Sequence, residues 1–309
     1  MTSVPLRDSV SHDPIALSPR QVGLILFALT LGGFAIGTGE FASMGLMPNM
    51  VASLGVTEPQ VGHLISAYAL GVVIGAPLLA ILGAGWKRKT LLLSLMAFYA
   101  LGNLASAWGP SYGSLLLFRF IAGLPHGAYF GVAALTAVAI SPPERRGRAV
   151  SLVMLGLTLA ILIGNPLATW AGQVLDWRWI YAAVAIIAVT TVALLAMWLP
   201  AHVDGPKTKP LDELRAFNRL PVWQALAIGA IGFAGMFAVF SYLAPTMLEV
   251  TGVSAAWIPL GLAGFGLGGV IGNFAGGWLY DRYKLRGAWV VLVWAIVALL
   301  AFPWMAQSL

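Results

Sequence analysis

The sequence predicts an all-α membrane protein whose apolar helices cross a bilayer in alternating directions. They fall into a six-helix N-terminal half and a partial, three-helix C-terminal half. Three observations carry that reading: an apolar excess no soluble surface accommodates, a one-sided distribution of basic residues, and an internal repeat at a shift of 197 residues.

Of 309 residues, 60% are hydrophobic and 9% charged, with a mean hydropathy of +0.88. A soluble domain carries roughly 25% charged residues because its surface must be hydrated. Lipid is therefore the main solvent of this chain. Twelve tryptophans agree with that, since indole favours the membrane–water interface. The chain has no cysteine, which excludes disulfides, thiolate metal sites and cysteine nucleophiles. The net charge of +6 does not point to nucleic acid, because the charges sit in short loops between apolar segments, where they set orientation.

Residues 1–21 are polar, with Pro5, Asp8, Asp13 and Pro14, and lack the apolar stretch and cleavage site of a secretory signal. They are expected to form a cytoplasmic tail. A spanning helix needs about 20 mostly apolar residues. Nine segments qualify: 22–46, 62–83, 91–107, 114–138, 149–174, 179–199, 222–247, 257–280 and 288–307. With the N-terminus inside, 15 of the 17 Lys and Arg residues fall on one face. The opposite loops hold only Arg178, and Arg119 lies within a helix. Such asymmetry predicts a multi-pass membrane protein with a cytoplasmic N-terminus.

Sliding the chain on itself by 197 residues aligns 46–87 with 243–284 without a gap, and 12 of the 42 positions are identical. Pro48 falls on Pro245, Gly55 on Gly252, and Leu70–Gly75 on Leu267–Gly272. Segments one to three therefore repeat as segments seven to nine in the same orientation. The N-terminal half spans 22–199, a charged cytoplasmic linker covers 200–221, and the partial second half covers 222–309. Two such halves rocking about a midplane site constitute a secondary-transporter architecture. A GxGxxG at Gly264–Gly269 is discounted, because it lies inside a span with no preceding strand. No cofactor or metal site is implied, nothing indicates ATP hydrolysis, and an ion gradient is the expected energy source.

Three stretches resemble the major facilitator superfamily, in particular its proton-coupled efflux branch of sugar- and drug-export permeases. Gly37–Pro48 resembles that branch's GTxEF…GLLP signature. Arg119–Gly131 resembles RxxxGLPHGAYFG, and Gly164-Asn165-Pro166 the antiporter glycine–proline motif. The superfamily's cytoplasmic loop motif is matched by Gly277, Leu279, Asp281 and Arg282. Its N-terminal counterpart is degraded to Ala84-Gly-Trp-Lys87-Arg88-Lys89, with Ala84 at the aspartate position. The resemblance implies a superfamily-type bundle and export by alternating access. Gating roles follow for Gly277, Asp281, Arg282, Lys87 and Arg88, and a leak-limiting kink at Gly164 and Pro166. The superfamily plan has twelve helices, so the chain is expected to be a truncated product. A transport-incompetent remnant, or a subunit needing a partner, is the alternative.

Ionisable side chains within a span cost roughly 2.5–3.5 kcal/mol on insertion scales, so their presence points to function. Glu40 lies ~24 Å along the first helix and Arg119 ~8 Å below the outer surface, at a rise of ~1.5 Å per residue. Both are expected at comparable depth in the outer half, facing each other or a cavity. Burial and a nearby guanidinium act on a carboxyl in opposite directions. That predicts Glu40, with Arg119, as the proton-coupling site; a static ion pair is the structural alternative. His126, Tyr68, Ser66, Tyr129 and Asn165 are the candidate substrate contacts. The predicted partners are the bilayer, a small solute (a sugar or a drug-like molecule) and protons, with the protein acting as a monomer.

Overall fold

The computed structural model describes residues 17–201, 203, 218–283 and 285–307. Among these residues every regular element is helical, and nine helices are long and apolar enough to cross a membrane. The expected tail (1–21) and linker (200–221) lie largely outside the described residues.

The first span, Pro19–Gly45, begins at a capping box. The Ser18 side chain accepts from the Gln21 N–H, and the Gln21 side chain accepts from the Ser18 N–H. Proline at the first helical position suits a site that needs no N–H donor. The helix breaks at Leu46, resumes as a short helix over Met47–Leu54, and ends on Gly55 at φ 64°. The second span, Glu58–Gly83, starts at a second capping box formed by Thr57 and Gln60. The third covers Arg88–Ala107, the fourth Tyr112–Ile140 and the sixth Arg178–Trp198.

The fifth span, Pro143–Val174, is not uniform. A π-turn over Ala160–Gly164 joins helices Arg146–Leu159 and Asn165–Val174. The physical cause is Pro166, which lacks the N–H that would bond the Leu162 carbonyl, so the ladder widens by one residue. The seventh span, Leu220–Ser241, is followed by Leu243–Pro245 and a π-turn over Thr246–Val250. That segment ends on Gly252 at φ 73°. Gly55 and Gly252 are aligned by the repeat and share a left-handed backbone that a Cβ disfavours. A helix broken near its end and stopped by a left-handed glycine therefore recurs in both halves. The eighth helix runs Ile258–Tyr283 and the ninth Leu285–Gln307.

In the N-terminal half the second span packs on the fourth, the third on the sixth and fourth, and the first on the fifth and sixth. These contacts are backbone-close because glycines line them. A Cβ on Gly71 would strike the Phe120 carbonyl, one on Gly75 the Leu124 carbonyl, and one on Gly123 the Tyr68 carbonyl. Small residues give bilayer helices their packing surface, since lipid provides no hydrophobic drive between them. Gly268 and Gly272 meet nothing within 4 Å, so the close-packing role of the second span's glycines does not extend to their counterparts.

The two halves meet at the end of the bundle where the first span finishes. Phe41 and Met44 pack with Phe240, Ala244, Ile258 and Leu262, and Gln173 Nε2 donates to the Ala255 carbonyl at 2.6 Å. Midway along, the eighth span crosses the π-turn of the fifth, with Gly266 against Ile161 and Leu162. At the opposite end lies a cavity of about 670 Å³ between the first, fourth and fifth spans.

Candidate substrate and proton site

Gly39 brings the first span close to the third, since a Cβ there would overlap the Tyr99 hydroxyl. That hydroxyl reaches the carbonyl oxygens of Ala35 and Ile36 at 3.2 and 3.1 Å. The Asn103 Nδ2 donates one turn back to the Tyr99 carbonyl at 2.9 Å. This polar seam fixes the turn of the first span that carries Glu40.

Arg119 enters the same level from the fourth span, as the depth argument requires, and is fully buried. Its Nη2 donates to the Gly39 carbonyl at 2.8 Å. The guanidinium lies over the Tyr68 ring at 4.5 Å and the Tyr181 ring at 5.0 Å from their centroids. Two aromatic faces and a carbonyl thus solvate the cation, while its Nε and Nη1 find no hydrogen-bond acceptor. The sequence expectation of a facing Glu40–Arg119 pair is modified here: among the described residues the two make no direct ion pair. The reason is steric and electronic, because the guanidinium is held between rings and turned onto the backbone beside Glu40.

The imidazole of His126 stands beside Glu40, its Nδ1 3.9 Å from Glu40 Oε2. The same Nδ1 is 3.1 Å from the Tyr68 hydroxyl. Glu40 and His126 retain 19% and 13% side-chain exposure, so this edge of the cluster borders open space while Arg119 does not. At 3.9 Å the Glu40–His126 contact is too long for a hydrogen bond; a rotamer shift of about 1 Å, or one bridging water, closes it. Phe130 packs on His126 with ring centroids 5.3 Å apart. The cluster thus sets a carboxyl, an imidazole and a phenol in a row, 3.9 and 3.1 Å apart, beside a buried guanidinium.

The other candidates separate. Ser66 is exposed on the side of the second span away from Tyr68. Tyr129 is buried and donates to the Leu29 carbonyl at 2.8 Å, which makes it a tie between the first and fourth spans. Asn165 is fully buried, and neither amide atom has a partner; its Oδ1 lies beside Gly45, more than a turn beyond Glu40 on the first span. Gly164 faces Thr38 and Phe34 of the first span. Lys87 caps the third span, Arg88 donates to the Leu135 carbonyl at 3.2 Å, and Lys89 to the Ala196 carbonyl at 2.6 Å. The degraded loop thus bonds carbonyls of the fourth and sixth spans, the latter in its closing turn, where a cation is favoured. Gly277 and Asp281 belong to the eighth helix, with their side chains outside the described residues; Arg282 lies 5.8 Å from the Tyr283 ring centroid.

Sequence reasoning missed Tyr99, Asn103 and Tyr181. The first two sit four residues apart and place two polar groups on one face of an apolar helix, a signal that was available. Tyr181, whose hydroxyl lies 2.6 Å from Ser43 Oγ, stands alone in its helix and offers no such pattern.

Residues 29–309 match the profile of the Major Facilitator Superfamily. The chain belongs to the Major Facilitator Superfamily. It is 37% identical over 291 residues to the inner membrane transport protein YdhP of Escherichia coli K12, covering 93% of this chain and 74% of that protein. A chloramphenicol resistance protein of Streptomyces lividans is 33% identical, covering 90% of this chain and 73% of its own length. A Helicobacter pylori protein named a probable sugar efflux transporter is 31% identical, covering 83% and 66%. A bacterial homologue of the human lysosomal transporter Spinster, crystallised inward-facing and unoccupied, matches with a TM-score of 0.71 at 18% identity. It covers 87% of this chain and 64% of that one, and shares the superfamily fold. The chain is thus a multi-pass membrane protein of a transporter superfamily and not one of an enzyme family.

Proposed function

We propose that the protein is a secondary exporter of the inner membrane, with its N-terminus in the cytoplasm, moving a small sugar or drug-like solute against protons by alternating access. The observation that carries this is the Glu40–His126–Tyr68 chain beside buried Arg119. A carboxyl at the edge of a buried cationic site changes the local net charge when it takes a proton. The charge change alters how strongly the first span is drawn to the fourth. Both spans carry the contacts on which the half rocks, so proton binding and helix arrangement are linked through differential stabilisation of two states. The likeness in sequence to a chloramphenicol resistance protein and to a probable sugar efflux transporter supports export of such solutes.

In proteoliposomes, an imposed pH gradient should drive accumulation of pentose sugars or chloramphenicol, with a matching proton flux reported by an internal pH dye. Glu40→Gln should abolish gradient-driven accumulation while solute exchange across the membrane continues. Full gradient-driven accumulation by that variant would rule out Glu40 as the coupling group. A second reading, a subunit of such a permease, draws on the apolar surface of the last three spans. Exposed Trp289, Trp294 and Trp304 lie on the ninth. Absence of any flux from the chain alone, restored by a co-expressed partner, would favour it.

A further inference from the structure

The 670 Å³ cavity at the end of the bundle where the first span begins takes no part in the proton cluster. Its rim carries Arg145, Arg146 and Arg148, and its wall is apolar, formed in part by Leu26, Ile140 and Leu152. All three arginines are exposed. Among the described residues none of their guanidinium groups has a hydrogen-bond or ion-pair partner. Among the described residues the acidic neighbour in sequence, Glu144, is not one that lines the cavity. The arginines also flank the start of a 14-residue helix, Arg146–Leu159, that no side chain caps. Its positive end adds to their field.

We propose that this cavity binds a phosphate-bearing anion, its oxygens held by the three guanidinium groups at the rim. Guanidinium forks match phosphate oxygens bidentately. Three cations with no acidic partner among the described residues, around one concave mouth, create a potential suited to a multiply accepting anion. The apolar wall beneath them extends the recognition: a phospholipid seats its phosphate at the rim and lays an acyl chain along Leu26, Ile140 and Leu152. Basic pockets between helices at the cytoplasmic face are suited to acidic headgroups for this reason. Free phosphate satisfies the rim alone. The site is separate from the transport reading, so either can fail without the other.

The test uses the purified chain in nanodiscs with phosphatidylglycerol titrated into phosphatidylcholine, and in detergent with inorganic phosphate at constant ionic strength. Binding is read by thermal unfolding and native mass spectrometry. Phosphatidylglycerol should raise the unfolding temperature, and the triple variant R145Q/R146Q/R148Q should weaken apparent binding by roughly tenfold or more, as charge-assisted contacts imply. Gly23 lines the cavity and has nothing within 4 Å of a built Cβ. Gly23→Phe therefore fills the cavity without removing charge, and should abolish the lipid effect in a folded protein. An arginine-dependent response to inorganic phosphate with no response to phosphatidylglycerol assigns the rim to free phosphate. A response to lipid alone assigns it to a headgroup. Unchanged binding of both probes in the triple variant would overturn the proposal.

Discussion

Arg119 is a fully buried charge within the N-terminal half, and its surroundings explain why a charge persists there. A cation in a bilayer needs partners that do not themselves require burial of a counter-ion. Two tyrosine faces and the Gly39 carbonyl supply them. Lysine carries the same charge as a point, without the planar face that stacks between rings. Arg119→Lys should therefore lower stability by about 2 kcal/mol, the scale of a desolvated cation–π contact or of a hydrogen bond to a charged group. The loss should be read as a reduced unfolding temperature in detergent, with Tyr129→Phe as the comparison. That variant removes one neutral hydrogen bond, to the Leu29 carbonyl, and should cost about 1 kcal/mol. A larger loss in Tyr129→Phe than in Arg119→Lys would mean that the rings do not solvate the guanidinium.

Among the elements, the pairing of the second and fourth spans carries the sharpest steric demand. A methyl group on Gly75 meets the Leu124 backbone, which cannot rotate away. Gly75→Ala should destabilise by about 1–3 kcal/mol, the cost of forcing volume into a packed interface. Gly272→Ala, at the equivalent position of the repeat, meets nothing within 4 Å and should leave the unfolding temperature unchanged. Equal effects at both positions would show that the glycines act through backbone flexibility alone. The spans themselves were legible because lipid selects apolar runs of fixed length, so each of the nine expected segments overlaps an observed helix. Their starts were read late: the first helix begins at Pro19, the second at Glu58 and the ninth at Leu285. The first turns are polar, and their capping signals, Ser18 with Gln21 and Thr57 with Gln60, lie outside the apolar windows. At the site, Glu40 and Arg119 stood out as charges in hydrocarbon. Where the Arg119 charge is balanced depends on tyrosines from two other helices, which no local pattern encodes.

For the whole molecule, handedness in the membrane follows from charge. Lys and Arg in short loops are retained on the cytoplasmic side, so the loop at 84–87 and the segment before the seventh span are expected on one face, with 175–177 on the other. The fold makes the same demand, because spans joined by loops this short must alternate. The repeat adds an independent constraint. If 46–87 and 243–284 are parallel copies, Lys87 and Arg219 must share a face, since four spans, an even number of crossings, lie between them. The absence of cysteine makes this directly measurable. Single variants Lys87→Cys, Arg219→Cys and Asp176→Cys place a thiol at residues that are exposed. A membrane-impermeant maleimide added to intact spheroplasts should label only Asp176→Cys, and should label the other two after permeabilisation. Labelling of Lys87→Cys and Arg219→Cys from opposite sides would break the parallel repeat. Two halves related by rocking about a shared site could then not describe this chain.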